Sequence, residues 1–263
     1  MIKIDQSKCM GCGECVADCF NGCLAVIDGK ANVVGSRCTE CGHCFAVCPS
    51  EAIIMENRDR ANIKPFNQET MTMDAQHLAD FMRFRRSTRR FTQERVTDEQ
   101  LKAIIEAGRY SPTGSNRQTT GYIVLQDSVA DIRRMVAKAL EKLSDEPARA
   151  GYSQVLKQIA VASREEDRDL VFYDAPAVII VIDNFGDING ALAASRMELQ
   201  ANALGLGACF IGFFAMAAAN DTDLRDVIGL PEGYHVVTSL AIGHPDVVYR
   251  RTVARREPLV IWQ

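Results

Sequence analysis

Cys38-Thr39-Glu40-Cys41-Gly42-His43-Cys44-Phe45-Ala46-Val47-Cys48-Pro49 is a cysteine run of spacing C-x2-C-x2-C-x3-C, and the chain carries it twice. Shifted back by 29 residues, Cys38, Cys41, Cys44 and Cys48 fall on Cys9, Cys12, Cys15 and Cys19 in register. Three thiolates on one tight loop can hold three irons of a cubane, while the fourth cysteine starts the next segment and points elsewhere. Structural zinc also takes C-x2-C pairs, but usually as two pairs on separate loops. A disulfide framework belongs to secreted chains; here the spacing is metal-like and no secretory leader is expected at Met1 to Asp5.

The paired runs resemble those of bacterial two-cluster ferredoxins, in which the fourth cysteine of each run serves the other cluster. The resemblance implies two [4Fe-4S] clusters, one on Cys9, Cys12, Cys15 and Cys48, the other on Cys38, Cys41, Cys44 and Cys19. Each half then needs the other half to fold. Cys23 falls on Ala52 in the 29-residue register and reads as a small core residue outside both ligand sets. Phe20 stands where the other copy has Pro49.

With 263 residues the chain suits two domains, and its 47% hydrophobic content can support a sizeable core. A net charge of -4 gives no electrostatic case for nucleic acid as the main partner. No apolar run reaches the ~20 residues a membrane span requires. The expectation is a cytoplasmic protein away from membranes.

In chain order, Ile2 and Ile4 alternate as a short strand, and Leu24 to Ile27 runs to a turn at Asp28-Gly29. The ferredoxin-like part takes residues 1-56. A polar linker with Pro65 is expected over 57-76. The rest, 77-263, is regularly patterned. Leu78, Phe81 and Met82 mark a helix that can begin at Asp74, and Thr97 with Gln100 caps a second that Gly108 would stop. Strands are expected at 122-125, 177-182, 209-213 and 236-242, the second covered on both faces. Val129 to Leu143 is an amphipathic helix and Ile188 to Leu204 one buried on every side. Residues 144-168 read as a movable cover, and the apolar tail at 259-262 is too hydrophobic to hang free in water.

Six arginines lie between Arg83 and Arg95. A run of this kind is often a solvated basic face, but Arg-Arg-Ser at a helix end followed by a loop of small and amide residues also suits a phosphate-bearing cofactor. Five stretches in order, Arg85-Arg86-Ser87-Thr88-Arg89-Arg90-Phe91, Ser111 to Gln118, Gly205-Leu206-Gly207-Ala208-Cys209, Gly243-His244-Pro245 and Arg255 to Leu259, resemble the FMN-dependent nitroreductase family over residues 77 to 263.

That resemblance implies an α+β fold with a central sheet flanked by helices, a homodimer, and FMN at the dimer interface. Position by position, it assigns FMN contacts to Arg85, Arg86, Ser87 and Arg89. Ser111, Pro112 and Thr113 reach the flavin from the partner subunit, Asn116 gives an amide contact, Gly207 and Ala208 lie near the ring, and Arg255 and Arg256 hold phosphate. His244 departs from a position where Tyr is frequent. No side chain need act as acid or base. Gly205-Leu206-Gly207 lacks the third glycine of a dinucleotide fingerprint, position 210 being Phe210. Cys209 reads as a core thiol.

The leading expectation is an iron-sulfur flavoprotein oxidoreductase acting on a small nitroaromatic, quinone or flavin acceptor, with NAD(P)H or reduced ferredoxin as donor and a redox protein as a further partner. The alternatives are a non-catalytic electron carrier or redox sensor whose flavin domain docks a partner, and a phosphate- or RNA-binding arginine cluster.

Overall fold

The structure, a computed structural model, describes residues 2-56 and 63-263. It divides into two compact units: Met1-Thr72 with Thr113-Arg117, and Met73-Pro112 with Gln118-Gln263. Residues 57-62 of the expected linker lie outside the described residues. A short helix, Gln68-Met71, forms in the remainder of it, started by the Asn67 side chain accepting from Thr70 N.

The first unit repeats itself in space as it does in sequence. Strand β1 (Ile2-Ile4) pairs antiparallel with β4 (Ile53-Met55), and β2 (Leu24-Ile27) with β3 (Lys30-Val33) across a tight turn in which Asp28 and Gly29 both take positive φ. Helices α1 (Glu14-Ala17) and α2 (His43-Ala46) begin 29 residues apart, each after a left-handed glycine, Gly13 at φ 85° and Gly42 at φ 81°. The interior is small: its buried residues are Ile2, Leu24, Ala31, Ala52 and Ile53 together with Cys9, Cys15, Cys23 and Cys44. A unit with so little buried aliphatic surface gains little folding free energy from its own side chains.

The second unit is an α+β layer. Its sheet, in the order β5-β6-β8-β7, is antiparallel throughout, with β5 (Gly121-Leu125), β6 (Ala177-Asp183), β7 (Gly207-Phe210) and β8 (His235-Gly243). Every residue of β6 is buried, which explains the unbroken apolar run from Ala177 to Ile182. Helix α4 (Ala75-Phe84), with no buried residue, comes first, and around the sheet pack α5 (Asp98-Arg109), α6 (Val129-Leu143), α7 (Ser153-Glu165), α8 (Asp187-Ala203), α9 (Gly212-Asn220) and α10 (Thr222-Val227). Asp74 caps α4 through His77 N, and Thr97 with Gln100 forms a full capping box on α5.

Four expectations change. The strand read at 209-213 ends at Phe210, and Gly212 opens a helix instead. Helix α7 occupies much of the presumed cover and buries Leu156, Ile159, Ala160 and Ala162, so this stretch is anchored in the core by its own apolar face. Helix α8 is buried on one side only: Met197 and Ala201 are in the core, whereas Ile188 is 76% exposed. The tail 251-263 is exposed throughout, Leu259 and Trp262 each at 92%.

Gly108, read as a helix stop, lies inside α5 for a different reason. A Cβ there would sit 2.6 Å from Tyr122 Oη and 2.8 Å from Met197 Sδ, so any larger residue forces these two side chains to shift. Gly108→Ala should cost about 1-3 kcal/mol in urea unfolding, the usual range for overpacking. An unchanged midpoint would show that the neighbours yield freely.

Candidate functional site

The first unit holds two cavities walled by thiols. One is lined by Cys9, Cys12, Cys15 and Cys48, the other by Cys19, Cys38, Cys41 and Cys44, with Cys23 beside them. Each set takes three cysteines from one run and one from the opposite repeat, because Cys19 and Cys48, just beyond the ends of α1 and α2, face the far cavity. The thiols line the walls instead of converging: among the described residues, no three Cys, His, Asp or Glu side chains come close enough to hold a single ion. Burial pushes the Cys44 thiol up to about 11, so a metal taking it must displace a proton.

Backbone N-H groups already aim at these sulfurs. Ala31 N donates to Cys9 Sγ, Ala52 N to Cys48 Sγ and Cys23 N to Cys19 Sγ, each at 3.3 Å. Such donors stabilise thiolate charge and are one of the levers on cluster potential. The donor set fits [4Fe-4S] clusters in chemistry and in number of ligands.

In the second unit the arginine segment is stitched between two strand ends. Arg85 ends α4, and Ser87 forms a parallel bridge with Ala208 while Thr88 N donates to Ala208 O at 2.9 Å. Phe91 bridges Pro245, Thr92 N donates to His244 O and Asp246 N to Arg90 O, both at 2.9 Å. Gly207 is required at this crossing, since a Cβ would meet three side-chain atoms of Thr88 at 2.6-2.7 Å. Three separated sequence stretches thus meet in one place, bringing Arg85, Ser87 and Arg89 beside Gly207 and Ala208.

The charges there are held by groups the sequence did not single out. Arg85 Nη1 pairs with Glu198 Oε1 at 2.7 Å, and the Glu198 side chain is only 8% exposed. Burial pushes the Glu198 carboxyl up and the Arg85 charge opposes the shift. The Arg89 guanidinium stands 5.7 Å from the Tyr173 ring centroid and beside the buried thiol of Cys209. Burial raises that thiol, and Arg89 pulls it back. Glu198 could have been suspected as an acid in the interior of an alanine-rich helix; its partner could not, being 113 residues away.

Two buried polar atoms have no partner among the described residues here, Arg86 Nε and Ser111 Oγ. Ser111 is 9% exposed and Pro112 exposed. Thr113 and Asn116 fall with the first unit, where Asn116 Nδ2 donates to Thr39 O at 2.9 Å and Glu40 O at 3.0 Å. Arg255 and Arg256 lie in the exposed segment after Tyr249, away from regular structure.

A pH test follows from Glu198. Between the ordinary glutamate value and the raised folded one, the folded protein keeps a proton that the unfolded chain has released, so this group's contribution to stability falls as pH rises through that interval. Glu198→Gln should remove that fall when urea stability is followed upward from about pH 5. Parallel curves for the two proteins would refute the assignment.

Residues 82-244, more than half of the chain, match the model of the Nitroreductase family. The chain belongs to the nitroreductase family. Residues 1-49 match a 4Fe-4S dicluster domain, so this nitroreductase carries its domain behind a cysteine-rich unit. The NADPH-flavin oxidoreductase of Vibrio harveyi is 27% identical over 162 residues, which are 61% of this chain and 62% of that protein's length. Among solved structures, a Bacteroides fragilis nitroreductase with bound FMN superposes with TM-score 0.60 at 22% identity, covering 71% of this chain and 98% of its own. A Desulfitobacterium hafniense nitroreductase with bound FMN gives 0.58 at 24% identity, covering 73% and 100%. These likenesses establish the fold. No described helix is long and apolar enough to cross a membrane.

Proposed function

We propose that this nitroreductase is an iron-sulfur flavoprotein oxidoreductase, which moves electrons between two [4Fe-4S] clusters, one FMN and a small conjugated acceptor such as a nitroaromatic, quinone or free flavin. The observation that carries the reading is the pair of thiol-lined cavities, each with four cysteines of the crossed runs, in a chain whose other unit has the nitroreductase fold. FMN, when bound, exchanges electrons singly or in pairs, whereas each cluster exchanges one at a time.

The chain's own residues have defined tasks in this reading. Arg85, Arg86, Ser87 and Arg89 would grip the flavin's phosphate and ring edge with charged and hydroxyl donors; the unpartnered Arg86 Nε and Ser111 Oγ fit an acceptor-rich guest. Gly207 and Ala208 would line the ring with backbone, where the absence of bulk allows close approach. Pro112 would complete the loop, and Arg255 and Arg256 would supply late phosphate contacts. Thr113 and Asn116 enter only through the family resemblance, because the Asn116 amide is already engaged by backbone carbonyls. The protein supplies orientation and positive charge beside the reduced flavin.

The reading includes a homodimer. It is supported by apolar surface with nothing on it in the single chain: Ile188 and Leu192 on α8, Leu78 and Met82 on α4, and Ile261 and Trp262 in the tail. NAD(P)H or a reduced ferredoxin would serve as donor, and the protein would work in the cytoplasm.

Anaerobically purified protein should be yellow-brown and carry about eight irons per chain, with FMN released on heating. Turnover of a nitroaromatic or quinone with NAD(P)H or reduced ferredoxin separates an enzyme from an electron carrier. Colourless protein after reconstitution, or protein that takes iron and refuses FMN, would defeat the reading.

A further inference from the structure

We infer that Cys23 is a reserve ligand for the second cluster, able to take the iron of Cys19 when that thiolate is lost; this rests on the cluster reading above. Three observations converge on it. The cavity lined by Cys19, Cys38, Cys41 and Cys44 is also lined by Cys23, so five thiols face one space. The corresponding wall position of the other cavity is Ala52, 29 residues later, so that cavity has four.

The backbone treats the two positions alike. Cys23 N donates to Cys19 Sγ and Ala52 N donates to Cys48 Sγ, both at 3.3 Å, and both residues are 1% exposed. The side chain at this place in the repeat therefore sits against the fourth ligand of its run. In one copy it is a methyl group and in the other a thiol.

The connection between the two sulfurs is also short and adjustable. Only Phe20, Asn21 and Gly22 separate the residues, and Gly22 occupies φ 61°, a conformation from which glycine can move without steric penalty. Gly35 admits Cys23 to its place, as a Cβ there would lie 2.9 Å from Cys23 Cα. In the exchange the Fe-S bond to Cys19 breaks and one to Cys23 Sγ forms, the Cys23 thiol proton passing to the released Cys19 thiolate; where residue 19 is alanine, Cys23 fills the open iron and its proton passes to solvent. No electron is transferred.

The test compares iron and sulfide per chain, and the electron paramagnetic resonance of the reduced protein, after anaerobic reconstitution of wild type, Cys19→Ala, Cys23→Ala, Cys19→Ala/Cys23→Ala and Cys48→Ala. Wild type and Cys23→Ala should each hold about eight irons with the same spectrum. Cys19→Ala should also keep about eight, with an altered signal from one cluster only, whereas the double variant and Cys48→Ala should fall to about four or fewer. Equal iron loss in Cys19→Ala and the double variant overturns the inference. If Cys19→Ala does not fold, the milder Cys19→Ser is compared with Cys19→Ser/Cys23→Ala, and equal iron in these two overturns it as well. Wild type that binds no iron would instead defeat the cluster reading itself.

Discussion

Replacing Cys15 by alanine should bring the iron content from about eight per chain to four or fewer and unravel the first unit as a whole. Cys15 is 6% exposed and lines the cavity of Cys9, Cys12 and Cys48, a set drawn from both repeats. Removing it therefore disturbs more than one ligand: Cys48 ends the run whose other three cysteines serve the opposite cavity. The unit has few buried aliphatic residues to fall back on, so the free energy of holding metal is most of the free energy of holding the fold. Metal analysis and limited proteolysis would read the result. Full iron content would mean that Cys15 is no ligand, and about four irons with intact protease resistance would mean that the two cavities fold independently.

The second large effect is expected at Arg85. Arg85→Ala should weaken FMN binding by about 10- to 100-fold, the equivalent of one charge-assisted hydrogen bond of about 1.5-3 kcal/mol, while leaving the iron content unchanged. The substitution also strands Glu198, whose side chain is 8% exposed and loses its 2.7 Å partner. An unpaired buried carboxylate is itself destabilising, so flavin loss alone would not separate binding from folding. Arg85→Ala/Glu198→Gln removes both charges and isolates the two effects. If the double variant still binds FMN weakly, Arg85 contacts the cofactor; if it recovers wild-type flavin content, Arg85 matters only as the partner of Glu198 and the phosphate site lies elsewhere.

Arg256 provides a contrast. It lies in the exposed tail, outside regular structure, so if it holds phosphate as proposed, Arg256→Ala should lower flavin content without a folding penalty. Its effect should depend on protein concentration if the tail serves a second copy of the chain, because dilution then removes the contact.

What was readable from the residues alone is set by how local each feature is. The cysteine runs, the turn at Asp28-Gly29 and the caps at Asp74 and Thr97 depend on neighbours a few positions away, and each is present in the structure. The apolar stretch of β6 declared itself a doubly covered strand because period and burial coincide there. The end of β7 was misread because Ile211 and Phe213 suit a strand as well as a helix. Only the packing around Phe214 and Ala217, both fully buried, tells which.

By itself, then, the sequence determined the duplicated thiol framework, the division into a metal-dependent unit and an α+β unit, and the residue types that a phosphate-bearing cofactor needs. The tertiary structure alone decided which partners those residues meet. Arg85 meets Glu198, Ser87 meets Ala208, Cys23 joins a cavity of four other thiols, and Gly108 yields room to Tyr122 and Met197. The reason is physical: a spacing of three or four residues fixes geometry along one helix or loop, but a contact across 113 residues exists only after the elements have packed.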